Sequence, residues 1–324
     1  MVIVPGETRP YTAAMFTMQE ILSTSTQFAP HSLESQVGNT PLLSLQRTAV
    51  ACGLPDTVQL FAKAEWFNPS GSVKDRAALG IIQAAEQDGR LWPGMTILDS
   101  TSGNMGIAYA MLGAARGYKL KIVLPASATP ERIAILQQYG VELVFSDAAA
   151  GSDGAIELAR EMADADPSLF YANQYDNPAN WQAALPMGEE IWQQTHGRVT
   201  HFISTLGSGG TFTGVTLRLR EHNPAIRCIA AHPATAHEGI AGLKYMPTAI
   251  RPAIYDETLA DENTAVTAAA ARDMLQMLAQ KEGLLVGPSA AAAVAATVAL
   301  AREKQEGVFV TVLPDNGLKY LSKK

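Results

Sequence analysis

Leu60-Phe61-Ala62-Lys63-Ala64, then Asn68-Pro69-Ser70-Gly71-Ser72-Val73-Lys74-Asp75-Arg76, then an amphipathic run to Asp88, read in order as strand, polar turn and helix. A short apolar run bounded by turn residues argues for a buried strand, and the following run carries helical periodicity. The same unit recurs along the chain. Further strands are expected at Met95–Leu98, Leu120–Leu124, Glu142–Phe145, His201–Ser204, Arg227–His232 and Val308–Leu313. Helices are expected at Asn104–Arg116, Pro130–Tyr139, Gly154–Ala165, Trp181–Thr195, Phe212–His222, Ala265–Lys281 and Ser289–Lys304, after the first at Lys74–Asp88. Strands separated by helices of this length imply βαβ units and mainly parallel sheets. Two such sets, before and after residue 155, give the expected fold class: α/β, with two three-layer αβα domains. Residues 1–32 show no clear periodicity and read as an N-terminal arm or interface segment.

Composition narrows the function classes. Apolar residues make up 47% of the 324 and charged residues 17%, as in a globular protein. A net charge of −7 gives no electrostatic reason to expect nucleic acid or an anionic membrane as partner, so an anionic substrate needs a local cluster of donors. The two cysteines, Cys52 and Cys228, lack metal-ligand spacing and read as small thiols in a reducing compartment. No metal site is expected. The beginning of the chain carries no signal-peptide pattern and the apolar runs are too short to span a bilayer, so the expected location is the cytoplasm.

Parallel sheets bind ligands at the carboxyl ends of their strands, in the loops that enter the next helix. Three glycine- and serine-rich loops fall there. The first holds Lys74 at a helix start, where the helix dipole disfavours a cation; such an amine has a depressed pKa or is neutralised as a Schiff base. On spacing alone, a surface lysine paired with Asp75 is an equal reading. The second, Ser100-Thr101-Ser102-Gly103-Asn104-Met105-Gly106, offers hydroxyls and backbone N–H groups for a carboxylate or phosphate, with an ordinary helix cap as the plainer reading. The third, Leu206-Gly207-Ser208-Gly209-Gly210-Thr211-Phe212-Thr213-Gly214, suits a phosphate monoester. It fits a dinucleotide fingerprint poorly, because Phe212 stands where the third glycine belongs. A reactive lysine, a carboxylate receptor and a phosphate receptor are what a pyridoxal-phosphate enzyme acting on an amino acid needs.

These motifs resemble the cysteine synthase family of fold-type II pyridoxal-phosphate enzymes, tryptophan synthase β-subunit-like in fold, and within it the type B, O-phosphoserine-using branch. Gly38-Asn39-Thr40-Pro41, the Lys74 loop, Thr101-Ser102-Gly103-Asn104, Gly207-Ser208-Gly209-Gly210-Thr211 and Pro314-Asp315-Asn316-Gly317-Leu318-Lys319-Tyr320-Leu321-Ser322 match it in order. The resemblance implies that Lys74 is catalytic and holds pyridoxal 5'-phosphate, with Asn104 at the phenolic oxygen, Gly207, Ser208, Gly209, Gly210 and Thr211 around the phosphate, and Ser289 at the pyridine nitrogen. It implies that Thr101, Ser102, Gly103 and Met105 grip the substrate carboxylate. A serine rather than a carboxylate at the ring nitrogen favours elimination and replacement at Cβ over transamination. The implied reaction is β-replacement on O-phosphoserine or O-acetylserine through an α-aminoacrylate, with sulfide or a sulfur donor giving L-cysteine. The implied domains are residues 48–155, smaller and substrate-binding, and 33–47 plus 156–324, larger and phosphate-binding. A homodimer and a sulfur-carrier protein are the implied partners.

The chain departs from the family pattern in places. Met105 replaces the usual threonine, residues 180–188 read Asn-Trp-Gln-Ala-Ala-Leu-Pro-Met-Gly, and Pro288 and Ala290-Ala291 flank Ser289. Met105 keeps open an amine nucleophile and a diaminopropionate product. Lys244 falls where O-phosphoserine-using relatives place an arginine, and a solvated surface lysine is the even alternative; Arg132 and Arg251 are weaker candidates. A non-catalytic partner-binding member is the reading from another class, opposed by the retention of Lys74, Asn104 and the phosphate loop.

Overall fold

Helices and strands alternate through most of the chain, and the strands collect into two sheets. The computed structural model describes residues 32–101 and 103–321. The expected N-terminal arm, apart from Ser32, and Ser102 lie outside the described residues. The larger sheet has six strands in the order β1 (Leu42–Ser44), β2 (Val58–Ala64), β10 (Gly307–Leu313), β7 (His201–Thr205), β8 (Arg227–Pro233) and β9 (Glu262–Val266). Only the β1–β2 pair is antiparallel. The smaller sheet is wholly parallel, in the order β5 (Glu142–Ser146), β4 (Lys119–Pro125), β3 (Thr96–Ser100) and β6 (Leu169–Tyr171). Strand β10 is flanked on both edges and reads Gly-Val-Phe-Val-Thr-Val-Leu, the near-continuous apolar run that a strand covered on both faces requires.

The fold class is as the sequence implies, and the described residues from Leu33 onward form one compact unit. Val58–Ala64 pairs in the larger sheet and Leu169–Tyr171 in the smaller, so the chain changes sheet between Ala64 and Thr96 and again between Tyr171 and His201. Apolar periodicity identifies a strand without identifying its neighbours. The helix expected at Ala265–Lys281 starts later, at Ala268, because Glu262–Val266 is edge strand β9, with Asn263 and Ala265 exposed and the residue between them half-buried. It gives way to a π-helical turn at Leu278–Glu282. The helix expected at Trp181–Thr195 is two, Ala179–Gln182 and Leu185–Gln194, with Pro186 in the first turn of the second.

A buried ion network fixes the base of the Lys74 loop. Lys63 on β2 is fully buried and pairs with Glu190 at 2.6 Å. Arg76 bonds Glu65 at 2.7 Å and Glu190 at 2.8 Å. Asn68 donates to Glu65 and accepts from the Gly38 N–H at 2.8 Å. Buried charges persist only when paired and hydrogen-bonded, so this cluster sets one register between β2, the loop and the helix Leu185–Gln194. The helix Lys74–Gln87 then buries Ala77, Ala78, Ile81, Ile82 and Ala85 on one face.

Candidate active site

The carboxyl ends of β3, β7 and β10 open into one cavity of ≈ 220 Å³. Lys74 lines it from the first position of its helix. Burial pushes its amine below the ordinary lysine pKa, and among the described residues no charged neighbour offsets the effect. Asp75 is not its partner. That carboxylate is buried, accepts from the Ser70 N–H at 2.6 Å and from the Ser70 hydroxyl, and is pushed up to about 6 by burial. The surface salt-bridge reading is thereby removed. The Lys74 loop is also tied to the end of β10, where the Val73 N–H donates to the Pro314 carbonyl at 2.8 Å.

The second loop enters the helix Asn104–Arg116. Thr101, Gly103, Asn104 and Met105 line the cavity. The Gly103 N–H donates to Thr101 Oγ1 at 3.2 Å, a local side-chain-to-backbone contact. Met105 is 1% exposed and belongs to the apolar core of the smaller sheet. At that position the chain offers the cavity a thioether and backbone in place of a hydroxyl.

The third loop enters the helix Gly210–His222. Gly207, Ser208, Gly209 and Thr211 line the cavity, while Gly210 is packed against Asn180. Gly209 has φ +88°, a conformation that favours glycine. A Cβ on Gly207 would lie 2.7 Å from the Gly242 carbonyl oxygen. The loop is therefore a cradle of bare backbone at a helix N-terminus, the geometry that suits a phosphate. Ser289, at the start of the helix Pro288–Lys304, is buried and also lines the cavity.

Of the candidate cations, Lys244 and Arg132 line the cavity. Lys244 pairs with Asp153 at 2.9 Å and lies 4.7 Å from the Tyr175 ring centroid. Arg132 stacks over Tyr320 at 5.1 Å. Arg251 pairs with Glu257 at 3.2 Å and is not part of the lining.

Among the further lining residues that sequence reading gave no role are Gln174, Tyr175 and Tyr320. The signal for the first two was the polar run Asn173-Gln174-Tyr175-Asp176-Asn177-Pro178 at the carboxyl end of β6, a strand that went unrecognised. Gln174 is held by donating to the Ser100 carbonyl at 2.9 Å. Behind it Asp99 is fully buried, and burial pushes its carboxyl up to about 7. No cluster of three or more metal-ligating side chains occurs among the described residues.

Known proteins resemble this chain over most of its length. The profile of the family described as "Pyridoxal-phosphate dependent enzyme" matches residues 33–315. The "Cysteine synthase" of Aquifex aeolicus is 43% identical over 292 residues, covering 88% of this chain and 89% of that protein. The "Cysteine synthase B" of Escherichia coli is 39% identical over 292 residues, covering 90% and 94%. The crystal structure of cysteine synthase from Entamoeba histolytica superimposes with a TM-score of 0.85 at 32% identity, covering 100% of this chain and 93% of that one.

Proposed function

Because this chain belongs to the family of pyridoxal-phosphate dependent enzymes, we propose that it is a transferase that replaces the Cβ substituent of an O-activated L-serine with a sulfur nucleophile, giving L-cysteine. The observation that carries the reading is the desolvated Lys74 amine sharing one cavity with the bare-backbone cradle Gly207–Thr211. The residues fit the cofactor: an amine of depressed pKa for its aldehyde, a helix N-terminus for its phosphate, and a hydroxyl rather than a carboxylate for its ring nitrogen.

In this reading Lys74 holds pyridoxal phosphate, Gly207, Ser208, Gly209, Gly210 and Thr211 surround its phosphate, Asn104 meets its ring oxygen and Ser289 its ring nitrogen. When bound, the cofactor supplies an electron sink that acidifies the substrate Cα–H and lets a Cβ substituent leave. Lys74 would then move the Cα proton, from its place at the start of its helix in the cavity wall. Thr101, Ser102, Gly103 and the Met105 backbone hold the substrate carboxylate, with Gln174 beside them. The lobe built on the smaller sheet binds substrate and the lobe on the larger sheet binds the phosphate. Lys244 provides the cation for an anionic leaving group such as phosphate, in competition with Asp153. Family membership supports a homodimer and a cytoplasmic location; among the described residues no helix is long and apolar enough to cross a membrane. A sulfur-carrier protein is the further partner proposed.

The test is a matrix of O-acetylserine and O-phosphoserine against sulfide, thiosulfate and glutamate, read by product mass. L-cysteine or its S-sulfo derivative is expected. A diaminopropionate derivative as the sole product would replace the sulfur reading. A purified protein that shows no cofactor absorption band, even after pyridoxal phosphate is added, would end it.

A further inference from the structure

We propose that Asp315 and Lys319 are positioning residues that lock the Asn104 carboxamide in one orientation and leave a single N–H of it for the cavity. The proposal rests on the reading of Asn104 given above. Asn104 Nδ2 donates to Asp315 Oδ2 at 2.7 Å, and Asn104 Oδ1 accepts from Lys319 Nζ at 3.1 Å. An ammonium can only donate. Asp315 Oδ2 already accepts from the Tyr320 hydroxyl at 2.6 Å, so it presents acceptor character to Asn104 as well. A flipped carboxamide would set its NH2 against the ammonium and its oxygen against the carboxylate. Both contacts would be repulsive, so the pair permits one orientation only.

Asp315 and Lys319 do not line the cavity, whereas Asn104 does. They act on the site through Asn104. Lys319 also donates to the Ser70 carbonyl at 3.2 Å, which holds the Lys74 loop and the Asn104 amide on one cation. Asp315 is fully buried, and its Oδ1 has no hydrogen-bond partner among the described residues. A buried carboxylate with one oxygen unsatisfied is costly to keep, which favours a role other than stability.

The test places Asp315→Asn and Lys319→Met in the full-length holoenzyme, each with Asn104 intact and each with Asn104→Ala. The rate at which the holoenzyme loses cofactor to hydroxylamine is followed by its visible absorption. With Asn104 intact, each variant is expected to speed loss about tenfold, the scale of one charge-assisted hydrogen bond. With Asn104→Ala the same substitutions should add less than about twofold, because their route to the cofactor is gone. Lys319→Arg, which keeps a donor, should restore the wild-type rate. Equal acceleration in both backgrounds, or none in either, would overturn the proposal. If Asn104→Ala alone leaves the loss rate unchanged, the role of Asn104 is itself refuted, a distinct result that removes the proposal with it. Should Asp315→Asn fail to fold, the Lys319 variants decide.

Discussion

Asp153, in the first turn of the helix Gly151–Ala165, holds the Lys244 ammonium at 2.9 Å and also accepts from the Ile250 N–H at 3.0 Å. Burial alone would raise the Asp153 carboxyl, but the Ile250 N–H and Lys244 bring it below its usual value. The cation beside the cavity is thus already engaged, and an anionic leaving group must share it.

Lys244→Met should therefore raise KM for O-phosphoserine about tenfold, the scale of one charge-assisted contact, and leave KM for O-acetylserine nearly unchanged. Asp153→Asn keeps an acceptor for Ile250 and should lower KM for O-phosphoserine. Steady-state kinetics with both donors distinguish these outcomes. Parallel changes for both donors would remove Lys244 as the leaving-group contact.

Lys74→Ala should abolish the cofactor's covalent attachment and cut turnover by about 10³-fold, the usual scale for losing a positioned proton carrier. Reduction with borohydride followed by peptide mass measurement reads attachment directly. Cofactor recovered on another lysine would refute the assignment.

Gly207→Ala meets a backbone oxygen, Gly242 O, at 2.7 Å. That carbonyl cannot easily swing aside, because the Lys244 N–H donates to the Leu206 carbonyl at 2.9 Å and pins the segment. Overpacking of this kind costs about 1–3 kcal/mol. The melting temperature should fall, and pyridoxal phosphate should be retained less well. An unchanged melting temperature together with normal cofactor content would show that the cradle is not tight.

Glu190 gives a pH signature. Burial would raise its carboxyl, but Arg76 and Lys63 outweigh that and hold it at about 2. Its folded-state pKa is depressed, so its contribution to stability is complete above the unfolded value of about 4.3 and is lost as pH falls through the folded one. Glu190→Gln leaves Arg76 and Lys63 short of a charge partner and should cost about 3–5 kcal/mol at neutral pH. Denaturant titrations should show the wild type losing this advantage as the pH is lowered from about 4 toward 2, with the variant curve flatter there.

The strands and helices around the cavity were legible because each carries its own period. Leu60–Ala64 and Val308–Leu313 announce themselves as apolar runs, and their neighbours do not. That Val58–Ala64 lies beside Gly307–Leu313 depends on contacts far apart in sequence, which no local period reports. The glycine loops were visible because bare backbone leaves a compositional mark. The polar groups behind them were not. Gln174 followed a three-residue strand too short to read, and Asp315 and Lys319 were seen only as part of a closing motif with no role attached. Lys74 shows the limit most clearly. Its neighbour Asp75 made a surface ion pair credible until burial and the Ser70 hydrogen bonds placed that carboxylate elsewhere.

Strand β10 sits in the middle of the larger sheet, and the residues just after it brace both the Lys74 loop and Asn104. In order of synthesis they come after every other element of the site. In the finished sheet Gly307–Leu313 is the strand that joins β1–β2 to β7–β8–β9. A chain cut short before Gly307 would therefore carry the lysine without the frame that holds its loop and Asn104.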